Sequence, residues 1–541
     1  MQFFEKGNLI NKLVFHDDMI DDGLKKLAEI NIGIPAGLTD SEKRVMRFLI
    51  EASNVINEIY MKQISPETAG ILESLSRSET DVDAKRLKYL RWNMCQWDRR
   101  ADNKPFIGDE EMPKGACFYP QDMTEKEFAD AINSGIMDKN EAKSYYTVIV
   151  REAGRLIAKK YSEAYKAQLS KVSELLIEAA KATDDMPLKS YLTETAKAVI
   201  TNEYTDSITA WMKLDGKISP TIGPFETYDD RLLGLKASFE SIVGIRNDEE
   251  SRKLEIYARY LKEMSESIPI DKECRFSREN ALNSPITVVD EVYSGGSANA
   301  GYTISAFNLP NDEEIRKRYG SKKVLHKNIM SFLADKLVIP IAEKLLDEKQ
   351  LSLVDGNTLF KFVLFHELAH GSKPVEVWIG NEPHQTAELL KDLINTFEEA
   401  RADATGVFYG RYLYEKGIME KGFLEKLYAT YFVGGLLRAT RNGVSEAHGA
   451  GCAMQYNYVR EKGAINFDAD TARLSIKFDV MNYAMLDLVK ELNSIEAFGD
   501  YEKAKAFYEK YAYVPKELQS LFKKIDEVPA SIMPIFTAEM P

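Results

Sequence analysis

The sequence predicts an α+β fold, predominantly helical, in two lobes separated by a cleft. Three observations carry this expectation. Over the first two hundred residues, charged and apolar positions alternate in long runs with few turn signals, as from Glu141 to Thr183, which is the pattern of amphipathic helices. One stretch, Ile286 to Asn311, changes to β-branched and aromatic residues around a glycine pair. From about Lys322 to Pro541 the helical pattern returns, and 541 residues exceed what one hydrophobic core normally serves.

Taken in order, Pro120, Pro187 and Pro220 punctuate the N-terminal helical part. Ile286, Thr287, Val288, Val289, Val292 and Tyr293 then precede Ser294-Gly295-Gly296-Ser297, and Tyr302, Thr303, Ile304 and Phe307 follow it. These read as two strands joined by a flexible connection. No fixed-period repeat is present, which excludes a solenoid. The expected division puts residues 1–245 and 285–335 in a mixed α/β lobe with a small β core, and residues 246–284 and 336–541 in a helical lobe, with the active site in the cleft between them.

Hydrophobic residues at 44% and charged residues at 29% belong to a folded globular chain. A net charge of −14 excludes nucleic acid as a main partner, because binding phosphates needs a basic surface. Cys95, Cys117, Cys274 and Cys452 are far apart without CxxC spacing, so neither a disulfide framework nor a thiolate metal site is supported. No apolar run approaches the roughly 18 residues of a membrane span. The segment Met1-Gln2-Phe3-Phe4-Glu5-Lys6-Gly7 lacks the basic region, apolar stretch and cleavage site of a secretory signal. The expected location is cytoplasmic by default, and periplasmic or secreted if a leader has been removed. The oligomeric state is not encoded in any pattern here.

The most informative segment is Phe365-His366-Glu367-Leu368-Ala369-His370-Gly371. On a helix, positions four apart lie above one another, so His366 and His370 can bind one Zn²⁺. Glu367 projects about 100° round the helix from His366, far enough to miss the metal and near enough to reach a water at the open coordination position, as a general base does. With six histidines in the chain, a chance pair four apart followed by an acid is expected roughly 0.01 times, which makes two ordinary core histidines a poor explanation. The preceding run Leu359, Phe360, Phe362, Val363, Leu364 and Phe365 predicts a buried helix.

Catalytic zinc needs a third protein ligand and keeps a fourth position open. Leu389, Leu390, Leu393, Ile394 and Phe397 mark a second amphipathic helix running into Glu398-Glu399-Ala400-Arg401-Ala402-Asp403. Either Glu398 or Glu399 could complete the shell. Asp403, one turn after Glu399, could accept a hydrogen bond from a ligand histidine and fix its tautomer.

The pairing of these two segments resembles the dipeptidyl peptidase III family of zinc peptidases, peptidase family M49, whose hallmark after the histidine motif has the form Glu-Glu-Cys-Arg-Ala-Asp/Glu. Three further segments carry the resemblance: Gly223-Pro224-Phe225-Glu226-Thr227-Tyr228, Ala306-Phe307-Asn308-Leu309-Pro310-Asn311 and Ser445-Glu446-Ala447-His448-Gly449. It runs from about Leu38 to the C-terminal region. The chain departs from the best-known members in having a five-residue rather than six-residue histidine motif, and Ala400 in place of the cysteine.

The resemblance implies one Zn²⁺ per chain, held by His366, His370 and Glu399, with Glu367 as base and Glu398 and Asp403 as partners of the ligands. It implies that Tyr228 and His448 assist the oxyanion, that Glu226 holds the free amino terminus of a short peptide, and that Asn308 and Asn311 hold its backbone. A carboxylate two residues from the scissile bond counts from the amino terminus, so the expected products are dipeptides. Such a peptide would add as a strand to the edge formed by residues 303–309, and cleft closure would bring Tyr228 and Asn308 toward the metal. Two other readings use the same residues: a zinc aminopeptidase, oligopeptidase or other hydrolase on the same core, and a helical interaction protein with a non-catalytic metal.

Overall fold

A five-stranded sheet on one side and a bundle of helices on the other frame the histidine motif in this computed structural model, which describes residues 10–270, 274, 276–278, 285–310, 315, 318, 320–444 and 447–537. The first long element pair is the strand β1 (Leu27–Ile32) and the helix α1 (Asp40–Ile64). A capping box starts α1: Thr39 Oγ1 accepts from Glu42 N and the Glu42 carboxylate accepts from Thr39 N, which satisfies two backbone donors that the first turn leaves open. The buried face of α1, with Val45, Met46, Leu49, Ala52, Ile56, Ile59 and Tyr60, packs between the sheet and the helix α2 (Lys166–Ala182).

The helical expectation for Glu141 to Thr183 holds from Tyr161 onward and at Glu141 to Lys143, the end of a short helix, but fails between them. Thr147–Glu152 and Arg155–Lys160 form an antiparallel hairpin. Four consecutive β-formers, Thr147 to Val150, precede a tight turn at Ala153 and Gly154, both with positive φ, which is the turn chemistry that matches strand twist.

The central sheet consists of β2 (Ile218–Glu226), β3 (Ser238–Arg246), β4 (Ile286–Gly296), β5 (Ala306–Leu309) and β6 (Lys322–His326), in the spatial order β5-β6-β4-β3-β2. Only β6 and β4 run parallel; the other neighbours are antiparallel. The strands at 286–296 and 306–309 are therefore not partners across a turn, because β6 inserts between them. The glycine pair is no flexible connection either. Gly295 and Gly296 end β4 against α1, where a Cβ on Gly295 would stand 2.6 Å from Asn57 Oδ1 and 3.0 Å from Ser53 O, and Asn57 Oδ1 accepts from Gly296 N. At these positions the absence of a side chain lets helix and sheet meet. β5 is left as an edge strand with Asn308 opposite Lys323.

The helical part is built around α3 (Gly356–His370), α4 (Ile394–Glu415), α5 (Ala447–Glu461) and α6 (Phe478–Phe498), which share one large core running from Leu254 to Val528. Asp355 caps α3 by accepting from Thr358 N. The expected second helix does not run continuously from Leu389: Leu389 and Leu390 end a separate short helix, Thr386–Leu390, and Lys391 at φ 52° breaks the path before α4 begins. The last strand, β7 (Ser531–Phe536), returns to pair in parallel with β1, joining the two ends of the chain. No helix among the described residues is long and apolar enough to cross a membrane.

Candidate metal centre

The motif lies at the C-terminal end of α3, and α4 crosses beside it closely enough to bring three side chains together. His366 and His370 stack edge to face with centroids 4.6 Å apart, and their Nε2 atoms are 3.0 Å apart. Glu399 Oε2 lies 3.4 Å from His366 Nε2 and 3.8 Å from His370 Nε2. The ligand atoms of His366, His370 and Glu399 all fall within 4.8 Å of one another. Of the two acids that the local pattern left open, Glu399 is the one that points at the imidazole pair. Glu398 stands behind it.

Each imidazole is oriented from its far side. His366 Nδ1 is 2.8 Å from Asp403 Oδ1, and His370 Nδ1 is 2.7 Å from Glu398 Oε1. A proton on Nδ1 donates to these carboxylates, which leaves the two Nε2 lone pairs facing each other and facing Glu399. Glu399 Oε2 is buried and makes no well-directed hydrogen bond of its own. Three electron-rich atoms converging on one point repel unless a cation lies among them, so the donor set fits a divalent metal. Two imidazoles and one carboxylate suit Zn²⁺.

The electrostatics agree. Burial alone would lower the His366 pKa, but Asp403 and then Glu399 outweigh it and raise it well above the ordinary value. Burial alone would raise Glu398 and Glu399; Arg401, His370 and Lys373 hold Glu398 well below the usual carboxylate range, and His366 and His448 do the same for Glu399. The pocket therefore attracts positive charge where the ligand atoms meet.

Glu367 is half-buried beside His366. His448, near the start of α5, has an exposed ring whose Nε2 is 3.2 Å from Glu399 Oε2. Tyr228 lies in the loop after β2, 73% exposed. Glu226 first, then burial, Glu399, Glu240 and Glu367 raise its pKa, so it stays a phenol able to donate; with so open a ring, the carboxylates around it matter more than desolvation. Tyr228 thus lies within the field of both Glu399 and Glu367. Glu226 ends β2, half-buried, and Asn308 lies on the edge strand with a buried Oδ1 that finds no hydrogen-bond partner among the described residues. Asn311 lies outside the described residues.

Several supporting residues lie outside the sequence motifs. Asp403 Oδ2 accepts from Gln455 Nε2 at 3.1 Å and lies 3.5 Å from Cys452 Sγ, and Gln455 Oε1 in turn accepts from Tyr431. The Tyr228 loop is pinned by two aspartates. Asp229 pairs with Arg99 and accepts from Ser238 Oγ, while Asp230 accepts from Tyr119 and from the amides of Leu232, Leu233, Leu235 and Lys236. The run Asp229-Asp230 directly after Tyr228 was a legible turn signal for this anchoring.

The two-histidine, one-carboxylate set fits a metal centre, and the family and structures this chain resembles make it a metallopeptidase. The description Peptidase family M49 matches residues 121–373. The dipeptidyl peptidase III structure from Caldithrix abyssi is 37% identical, covers 96% of this chain and 99% of its own, and superposes with a TM-score of 0.92. That from Corallococcus sp. strain EGB is 30% identical over 96% of this chain and 97% of its own, with a TM-score of 0.85. Nudix hydrolase 3 of Arabidopsis thaliana is 29% identical over 558 residues, 92% of this chain and 71% of that protein. The chain belongs to peptidase family M49.

Proposed function

We propose that the protein is a zinc-dependent exopeptidase that releases dipeptides from the amino terminus of short peptides. The observation that carries this reading is the meeting of His366, His370 and Glu399 within 4.8 Å, each imidazole backed by a carboxylate. When bound, one Zn²⁺ per chain supplies Lewis acidity to water and to the scissile carbonyl.

Glu367 takes the proton from the attacking water and returns it to the leaving amine. Tyr228 and His448 donate to the oxyanion as it forms. The amino terminus of the peptide pairs with Glu226, which sets the cleavage point two residues in. The peptide backbone adds to the open edge of β5, held by Asn308 and Asn311, so side-chain specificity is broad. Residues 1–245 with 285–335 supply this substrate-binding face, and residues 246–284 with 336–541 supply the metal face. The dipeptidyl peptidase III structures named above, alike over nearly the whole chain, support the reading.

Metal analysis combined with turnover of dipeptidyl-naphthylamide and single-residue naphthylamide substrates tests it. Stoichiometric zinc with a clear preference for the dipeptidyl substrate is expected. Preference for the single-residue substrate would make the enzyme an aminopeptidase, and absence of turnover with zinc bound would favour a non-catalytic metal.

A further inference from the structure

Arg401 is fully buried and distributes its guanidinium over three helices. Nη1 donates to Ala369 O at the end of α3 (3.1 Å), Nη2 donates to Glu398 Oε1 in α4 (3.1 Å), and Nε lies 2.9 Å from Glu496 Oε2 in α6. Glu398 Oε1 is the atom that holds His370 Nδ1. A chain of contacts thus runs from Glu496 through Arg401 and Glu398 to a metal-binding imidazole.

Glu496 is an unusual residue to keep where it is. It is fully buried, on the face of α6 that carries Val489, Leu492 and Ile495. An acid there without a partner would be strongly disfavoured. Its contact with Arg401 is off the N–H axis, and neither carboxylate oxygen makes a well-directed hydrogen bond. Burial pushes its carboxyl up, and the Arg401 guanidinium opposes that shift. One turn away, Asn493 Nδ2 donates to Thr405 Oγ1, a second polar link between α6 and α4. Two such links fix the roll of α4 about its own axis. Glu398, Glu399 and Asp403 all project from α4, so a roll would move the three carboxylates together relative to the histidines.

We infer that Glu496 is a positioning residue of the metal centre: through Arg401 it holds Glu398 against His370 and so sets how tightly the cation is gripped. This rests on the metal reading above. Partners of metal-ligating histidines typically change metal affinity by roughly 10- to 100-fold when removed, and Glu496, two contacts further out, belongs at the lower end.

The test is chelator competition for zinc on the full chain, with zinc-saturated kinetics and thermal unfolding of the same samples. Glu496→Met should weaken zinc affinity by about 10-fold, with KM for a dipeptidyl substrate unchanged and activity recovered in excess zinc. Glu496→Gln, whose amide oxygen can still face Arg401, should regain most of the affinity. Wild-type affinity in Glu496→Met, even with a lowered melting temperature, would reduce Glu496 to a structural residue and overturn the inference. Glu496→Gln as weak as Glu496→Met would also overturn it. If the wild-type chain takes up no zinc, the metal reading itself fails and this inference falls with it.

Discussion

Gly406 lies directly against the backbone of His366. A Cβ at position 406 would stand 2.8 Å from His366 N and 3.0 Å from Phe365 C, so α4 reaches the histidine helix only because this position carries no side chain. Close approach of the two backbones lets Glu399 and Asp403 meet His366 from one helix. In Gly406→Ala, the gain of about 1 kcal/mol in helix propensity is set against overpacking of about 1–3 kcal/mol, and the helices are pushed apart. Lower thermal stability together with weaker zinc retention against a chelator is the expected result. A variant as stable as the wild type with unchanged zinc affinity would show that the close approach is incidental.

Glu367 follows the first ligand histidine but is not among the three clustered ligands. Its removal should therefore separate binding from chemistry. Glu367→Gln is expected to retain zinc while turnover drops about 100- to 10,000-fold, the range for loss of a general base. Loss of zinc in parallel with activity would instead make Glu367 part of the metal shell.

What could be read from the sequence was local. The apolar run before His366 marks α3, and Glu399 and Asp403, four residues apart, lie one helical turn apart, so spacing alone brings those two to one face. The pairing of β5 with β6 rather than with β4 depends on a strand further along the chain, which no local pattern encodes. Gly295 and Gly296 look like a hinge because glycine is permissive; their role as a contact surface requires knowing that α1 lies above them. Gln455 and Glu496 are far from the motif in sequence and join it only through packing of α5 and α6 on α4. A charge at 496 on an apolar helix face was visible, but its partner was not.

Glu226 should govern the counting rule. A charged hydrogen bond between its carboxylate and the substrate ammonium is worth about 1.5–3 kcal/mol, so Glu226→Gln should lower kcat/KM for dipeptidyl-naphthylamides by roughly 10- to 100-fold. Peptides with a blocked amino terminus, already poor substrates, should be nearly unaffected. Equal losses for free and blocked substrates would remove Glu226 from amine recognition.

Glu240 offers a test by pH. It is buried on β3, with its Oε2 accepting from Ser297 Oγ at 3.1 Å. Burial first, then the charges of Glu226 and Asp229, raise its carboxyl well above the ordinary value, and the Ser297 hydrogen bond only partly opposes them. In the unfolded chain the same group titrates near 4.3. Between that value and the raised folded one, the folded state holds a proton that the unfolded state has released. The unfolding free energy contributed by Glu240 is therefore full below about pH 4.3 and is lost as pH rises through the folded value. Glu240→Gln, which copies the neutral acid, should remove this loss. Relative to the wild type, its melting temperature should be little changed near about pH 4 and should rise progressively as pH increases above that. A constant offset between the two proteins across the same pH range would show that Glu240 is ionised in the folded state despite its burial.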